Sequence, residues 1–172
     1  MKGFIKVIAI AAMTLGATEA FAQQNSQATA NVSATIVTPI VISNGDDMNF
    51  GNIAVSSTAG TVVLAPNGSR TSTGGVTLPA TAGTVTPATF NVTGQANYQY
   101  TITLPSGTIT LNGPSSATMT VGTFTSNPSG TSTLSAGGTD AIAVGATLSV
   151  GVNQAPGVYN AASEFPVIVQ YN

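Results

Sequence analysis

Strict alternation of apolar and polar residues begins at Ala28. Ala28, Ala30, Val32, Ala34 and Ile36 fall on one side, and Thr29, Asn31, Ser33 and Thr35 on the other. Successive side chains of a strand point to opposite faces, so this pattern predicts a strand with one apolar and one wet face. The register runs on past Pro39 through Ile40 and Ile42, while Val37 and Val41 add apolar groups on the second side. Val37–Ser43 is therefore expected to be the first strand of the domain proper. Ala28–Ile36, within an N-terminal stretch 23–36, is expected to be a separate arm, free to pair within its own molecule or with a neighbour. Pro39 cannot donate a ladder hydrogen bond and marks an edge, a bulge or a strand start, which makes it the expected hinge.

The alternation returns after each turn signal. Phe90 and Val92 share a face, and after Gly94 and Asn97 so do Tyr98, Tyr100, Ile102 and Leu104. Ile142, Val144, Ala146, Leu148, Val150 and Val152 line one side of a long run, and Phe165, Val167, Val169 and Tyr171 line one side of the last. Shorter strands are predicted at Thr61–Ala65, Val76–Ala80, Ile109–Leu111, Met119–Phe124 and Thr133–Leu134. Gly, Pro and Asn clusters punctuate the runs, as in Pro66–Ser69, Asn112–Ser116, Asn127–Gly130 and Ala136–Gly138. These residues tolerate positive φ or preset a turn. No stretch shows a helical period. The expected fold is all-β, an antiparallel immunoglobulin-like (pilin-like) β-sandwich of about 8–10 strands over 37–172.

Residues 1–22 change the picture at the other end. Lys2 and Lys6 precede an apolar stretch from Val7 to Leu15, and Ala20-Phe21-Ala22 is a small-x-small cleavage signal. This reads as a secretory signal peptide, too short in its apolar part to anchor the chain in a bilayer. The chain is expected in the periplasm, on the cell surface or outside the cell. It has no Cys, hence no disulfide framework.

Beyond residue 22 the charged side chains are Asp46, Asp47, Arg70, Asp140 and Glu164. One arginine cannot make a phosphate-binding patch, so nucleic acid and polybasic membrane docking are both excluded. Transmembrane barrels also alternate, but they carry aromatic girdles and longer strands than most predicted here. No integral membrane span is expected.

Candidate chemistry is sparse. The chain has no His or Cys, and no Lys beyond residue 6. No base is available to activate its many Ser and Thr hydroxyls, and no His or Cys can hold a transition metal. Asp46 and Asp47 would point to opposite faces of a strand, and Asp140 and Glu164 read as solvated strand starts that deter edge pairing. Ser43–Asn49 lacks the spaced ligand pattern of a calcium loop. No enzyme, cofactor or metal site is expected. Two site candidates remain. One is the arm, Ala28, Ala30, Val32, Ala34 and Ile36 with its hinge Pro39. The other is Arg70, the one cation of the turn-rich loops at the sandwich end, as a ligand contact. Tyr98 and Tyr100 suggest a sugar-stacking platform, but sharing a face with Ile102 and Leu104 makes core packing the better reading. Tyr159 follows a Pro-Gly turn and is expected to pack over the sandwich end.

The ordered set "TPIVIS", "MNFGNIAV", "FNVTG", "YTITLP", "MTV", "VGATLSV", "APGVY" and "VIVQYN" resembles the bacterial secreted domain-of-unknown-function family 4402. An early "NFG" and the closing "PG-x-Y … V-x-V-x-Y" are more loosely similar to spore coat protein U and to chaperone–usher pilins. That looser resemblance implies an immunoglobulin-like sandwich, and in pilins subunits exchange strands to build fibres. This chain lacks the disulfide that many pilins carry. The expected function is a secreted, non-catalytic structural or surface protein, such as a fibre, pilus-like or coat subunit that self-associates or joins other surface subunits. The alternative is an extracellular binding module or adhesin recognising a glycan or protein through its end loops.

Overall fold

The computed structural model describes residues 25–172, so the expected signal peptide lies outside the described residues. Ile36–Asn172 form one compact unit. Its elements are all strands apart from a single 3₁₀ turn at Pro114–Ser116. Every pairing is antiparallel.

The spine is β9, Thr139–Val150, which holds the long alternating run. Ile142, Val144, Ala146, Leu148 and Val150 are all buried, as the pattern requires. Val152 lies past the strand end and is exposed. One edge of β9 pairs first with β4 (Ala88–Thr93), through Thr139–Val144, and then with β2 (Ala54–Leu64), through Ala146–Val150. Gly145 lies at the changeover, where a Cβ would overlap the Leu64 carbonyl oxygen. The other edge pairs with β7 (Thr118–Asn127). Beyond these lie β1 (Val41–Asn44) on β4, β3 (Arg70–Thr77) on β2, β6 (Ile109–Asn112) on β7, and β10 (Asn160–Ala161) on β6. Together they make a strongly curled eight-stranded sheet.

The second sheet is small. It runs β11 (Ile168–Tyr171), β5 (Gln99–Thr103), β8 (Thr131–Thr133). The described residues thus hold eleven strands against the about 8–10 expected, with β8 and β10 only three and two residues long. The fold is an antiparallel all-β sandwich.

The small sheet covers only one half of the large one. Val92, Tyr100, Ile102, Leu134, Ile142 and Val144 pack there as one buried cluster. The other half buries Val62, Leu64, Val76, Val121, Leu148 and Val150 beneath Phe50. Its cover is chain without regular structure, with Met48, Ile53, Leu78 and Val85 packed against it. Met48 and Phe124 touch both clusters and join them.

The N-terminal expectations need correction. Residues 25–40 form no strand, and the first strand starts at Val41 rather than Val37. An isolated strand leaves its backbone unpaired and is not stable alone. Around Pro39 the chain is held by side chains instead. Thr38 N–H donates to Gln95 Oε1 at 3.1 Å, and the Tyr171 hydroxyl donates to Thr38 O at 2.9 Å.

Candidate functional site

Where β7 meets β9, the register slips by one residue between Gly122 and Thr125. Thr123 takes a positive φ of 50°. A bulge of this kind re-aims the side chains that follow it. Val121 and Phe124 are three apart and would point to opposite faces of a regular strand. With the extra residue between them, both face the interior. They line an open groove together with Ile109 and Leu111 of β6, Met119 of β7, and Leu148 and Val150 of β9.

The groove has a volume of about 1220 Å³. One wall is the loop from Asn44 to Val55, and the other is the segment from Gln154 to Phe165. Phe165 closes one end, stacked on Phe124 at a centroid distance of 4.9 Å and edge-on to Phe90 at 6.0 Å. The floor is apolar. Two carboxylates, Asp47 and Glu164, stand among the lining residues. Small-molecule pockets typically enclose about 300–1,000 Å³ of mostly apolar space. This groove is larger and open.

Arg70 is not a free loop cation. Its Nη1 donates to Phe50 O and, at 3.1 Å, to Asn52 O. The half-buried guanidinium thereby pins the loop that walls the groove. Gly51 makes the tight passage there, with φ +69° and no room for a Cβ against Ala82 O. Arg70 is better described as a clamp on this loop than as a ligand contact.

Asp140 also departs from expectation. It is not a solvated strand start. Its Oδ2 accepts from the Tyr100 hydroxyl at 2.8 Å and from Ser132 Oγ at 2.6 Å, and its Oδ1 accepts from Ala141 N–H at 2.8 Å. Asp140 is on β9 of the large sheet, while Tyr100 and Ser132 are on β5 and β8 of the small one. The carboxylate therefore ties the two sheets together. Burial pulls its pKa upward, but the bonds from Ser132, Tyr100 and Ala141 prevail and leave it below the ordinary aspartate value. Burial, the bond to Asp140 and that charge together push the Tyr100 phenol well above its ordinary range.

The other three carboxylates lie outside the strands. Asp46 and Asp47 lie in a loop rather than on a strand. Asp46 Oδ2 accepts from Thr89 Oγ1 at 3.0 Å, and Asp47 Oδ1 from Asn44 Nδ2 at 2.9 Å. Glu164 is exposed. Among the described residues, no group of three or more His, Cys, Asp or Glu could hold a metal ion. Nor is any helix among them long and apolar enough to cross a membrane.

The arm residues Ala28, Ala30, Val32, Ala34 and Ile36 are all exposed, Val32 at 96% and Ile36 at 98%. Pro39 is exposed two residues before β1. Tyr100 is buried in the core, as its register implies, but Tyr98 is 43% exposed and packs edge-on to Tyr171 at 5.6 Å. Tyr159 packs over Gly113, where a Cβ would overlap its ring.

Sequence reasoning missed the groove. Alternation tells which face of a strand is apolar, but not whether a second sheet is wide enough to cover it. One signal was available. Met48, Phe50 and Ile53 are apolar residues in a stretch without strand periodicity, which suits chain laid over a core that no sheet covers.

No curated protein and no solved structure matches the chain. A family model does, over residues 40–171, which takes in every strand of the sandwich from β1 to β11. The chain therefore belongs to the family described as "Domain of unknown function (DUF4402)".

Proposed function

We infer that this chain is a secreted, non-catalytic structural subunit of a surface or extracellular assembly. In this reading copies join when the arm Ala28–Ile36 of one enters the apolar groove of another. The carrying observation is that the one alternating segment left without a strand partner has every apolar residue exposed, in a chain whose sandwich leaves a groove open. Strand addition takes its affinity from main-chain hydrogen bonds and its fit from alternate side chains. The arm has both, with no proline between Ala28 and Ile36.

Fully burying a Val or Ile side chain is worth about 1.5–3 kcal/mol, so Val32 and Ile36 supply most of the apolar gain and the three alanines little. The secretory signal at 1–22 supports export. The lack of His and Cys, and of any Lys beyond residue 6, to activate Ser or Thr supports a non-catalytic role. The binding-module alternative loses its main candidate, because Arg70 is engaged with Phe50 O and Asn52 O.

The test compares the chain with a variant lacking residues 25–36, by sedimentation and negative-stain microscopy. The chain should form oligomers or filaments, and the variant should be a folded monomer. The same assembly state in both would reject arm donation.

A further inference from the structure

Gln154–Ala161 is the least anchored wall of the groove. It contributes no side chain to either core cluster. None of its residues is buried, and Val158 is 76% exposed. Its ties are local. Gln154 Nε2 donates to Thr118 O and to the Tyr159 hydroxyl, each at 3.0 Å, and that hydroxyl donates to Ala155 O at 2.7 Å. The Tyr159 ring rests on Gly113. Otherwise the segment is held by β10, whose two residues pair with Asn112 and Leu111, and by Ala162 N–H donating to Thr110 O at 2.9 Å.

Those few bonds cover a sheet edge. β6 pairs with β7 on one side and with β10 alone on the other. Without β10, Ile109–Asn112 would present unpaired backbone groups at the lip of an apolar groove, which is a template for another strand. Segments with few buried apolar contacts open at the lowest free energy. A two-residue strand with no core side chain is such a segment.

We propose that Gln154–Ala161 is a displaceable strap that caps the edge of β6, and that the arm of a second copy replaces it there. The proposal rests on the assembly reading above and adds its gate. The arm offers what the strap lacks. Ala28–Ile36 has a backbone N–H at every position, and as a strand it would put Val32 and Ile36 on one face, the face to turn toward the groove floor beside Leu111. Charge also favours this occupant. The arm is uncharged, whereas Asp47 and Glu164 line the groove and would repel an acidic peptide. Because arm and edge are different surfaces of one chain, the contact is head-to-tail and grows an open chain of copies.

The chain has no cysteine, so the double variant Leu111→Cys/Ala161→Cys carries a unique pair. Ala162 N–H bonds to Thr110 O, which makes Ala161 and Leu111 a non-hydrogen-bonded pair, the closer kind and within disulfide reach. A fluorescent peptide of residues 25–37 is titrated onto the full chain by anisotropy, with intramolecular bridging checked on a non-reducing gel. Oxidised protein should bind the peptide more than about tenfold more weakly than the same protein reduced. Gln154→Ala, which loosens the strap without touching β6, should bind it more tightly. That variant should also exchange the Asn112 amide faster, since it pairs with Asn160 of β10. Equal binding by oxidised and reduced protein overturns the strap and leaves the assembly reading standing. Absence of peptide binding in every form overturns the assembly reading and the strap with it.

Discussion

Asp140 accepts three hydrogen bonds, two of them from the opposite sheet. Bonds to a charged group contribute about 1.5–3 kcal/mol each before the loss of its hydration is counted. Asp140→Asn keeps the shape and an acceptor oxygen but loses the charge, and should lower stability at pH 7 by about 1–2 kcal/mol in urea unfolding. The pH dependence follows from the lowered folded-state pKa. The ionised form is favoured more in the folded than in the unfolded chain, so this stability is present above the ordinary value of 3.8 and lost as pH falls through the lowered one. The gap between wild type and Asp140→Asn should therefore begin to narrow only below about pH 4 and close as pH falls through the lowered value. Tyr100 works at the other end of the scale. Its raised pKa means the folded chain keeps a proton that the unfolded chain gives up, so stability falls as pH rises above 10.0. Arg70 makes its own contribution through two loop carbonyls, and Arg70→Ala should cost about 1.5–3 kcal/mol in the same measurement. Arg70→Lys should recover less than half of the loss, since both bonds leave the terminal Nη1 and the ammonium is more strongly hydrated and sits on a shorter side chain.

Strand elements carry the alternation that was legible beforehand, and β9 shows both how far it reaches and where it stops. Ile142, Val144, Ala146, Leu148 and Val150 are all buried on one face, so the core of this element could be read from spacing alone. Its partners could not, because period-2 alternation fixes a face and says nothing of which strand lies at each edge. In the sequence Gly145 is simply one position of the face opposite that apolar run. In the fold it is the point where β4 gives way to β2 and where the Leu64 carbonyl comes too close for a Cβ. Gly145→Ala should therefore destabilise by about 1–3 kcal/mol, the range of an overpacked site, and lower the melting temperature, whereas Gly107→Ala, with open space at its Cβ, should be near neutral. The bulge at Thr123 was equally hidden, since Val121 and Phe124 read as opposite faces until an extra residue brought them together. The arm is the reverse case. Its pattern was legible, but a pattern alone does not supply a partner strand, and within its own chain Ala28–Ile36 forms none. The partners of Asp140 and Arg70 were not legible for a related reason. A charged residue in an exposed-looking stretch has solvent as its default partner, and only the fold brings Tyr100, Ser132, Phe50 and Asn52 to them.

At the scale of the molecule, the low charge decides what kind of force can hold copies together. Beyond residue 22 there are five charged side chains, and four have defined partners inside the chain. Asp46 is bonded to Thr89, Asp47 to Asn44, Arg70 to Phe50 and Asn52, and Asp140 to Tyr100 and Ser132. Only Glu164 has no such bond among those described, and the arm has no charge at all. An assembly built from this surface must rest on main-chain hydrogen bonds and apolar burial. Screening acts on exposed charges, with a Debye length near 10 Å at 0.1 M salt, and leaves those two forces largely untouched. Sulfate strengthens apolar burial because it is excluded from protein surface. Raising sodium chloride from about 0.05 to about 0.5 M should change the self-association constant by less than about threefold in sedimentation. Ammonium sulfate at matched ionic strength should strengthen association. The dependence should track Val32 and Ile36, so that replacing both by Ala removes the response to sulfate along with most of the affinity. A tenfold or larger weakening in sodium chloride would point to Glu164, Asp47 and a cationic partner, and would move the interface away from the arm.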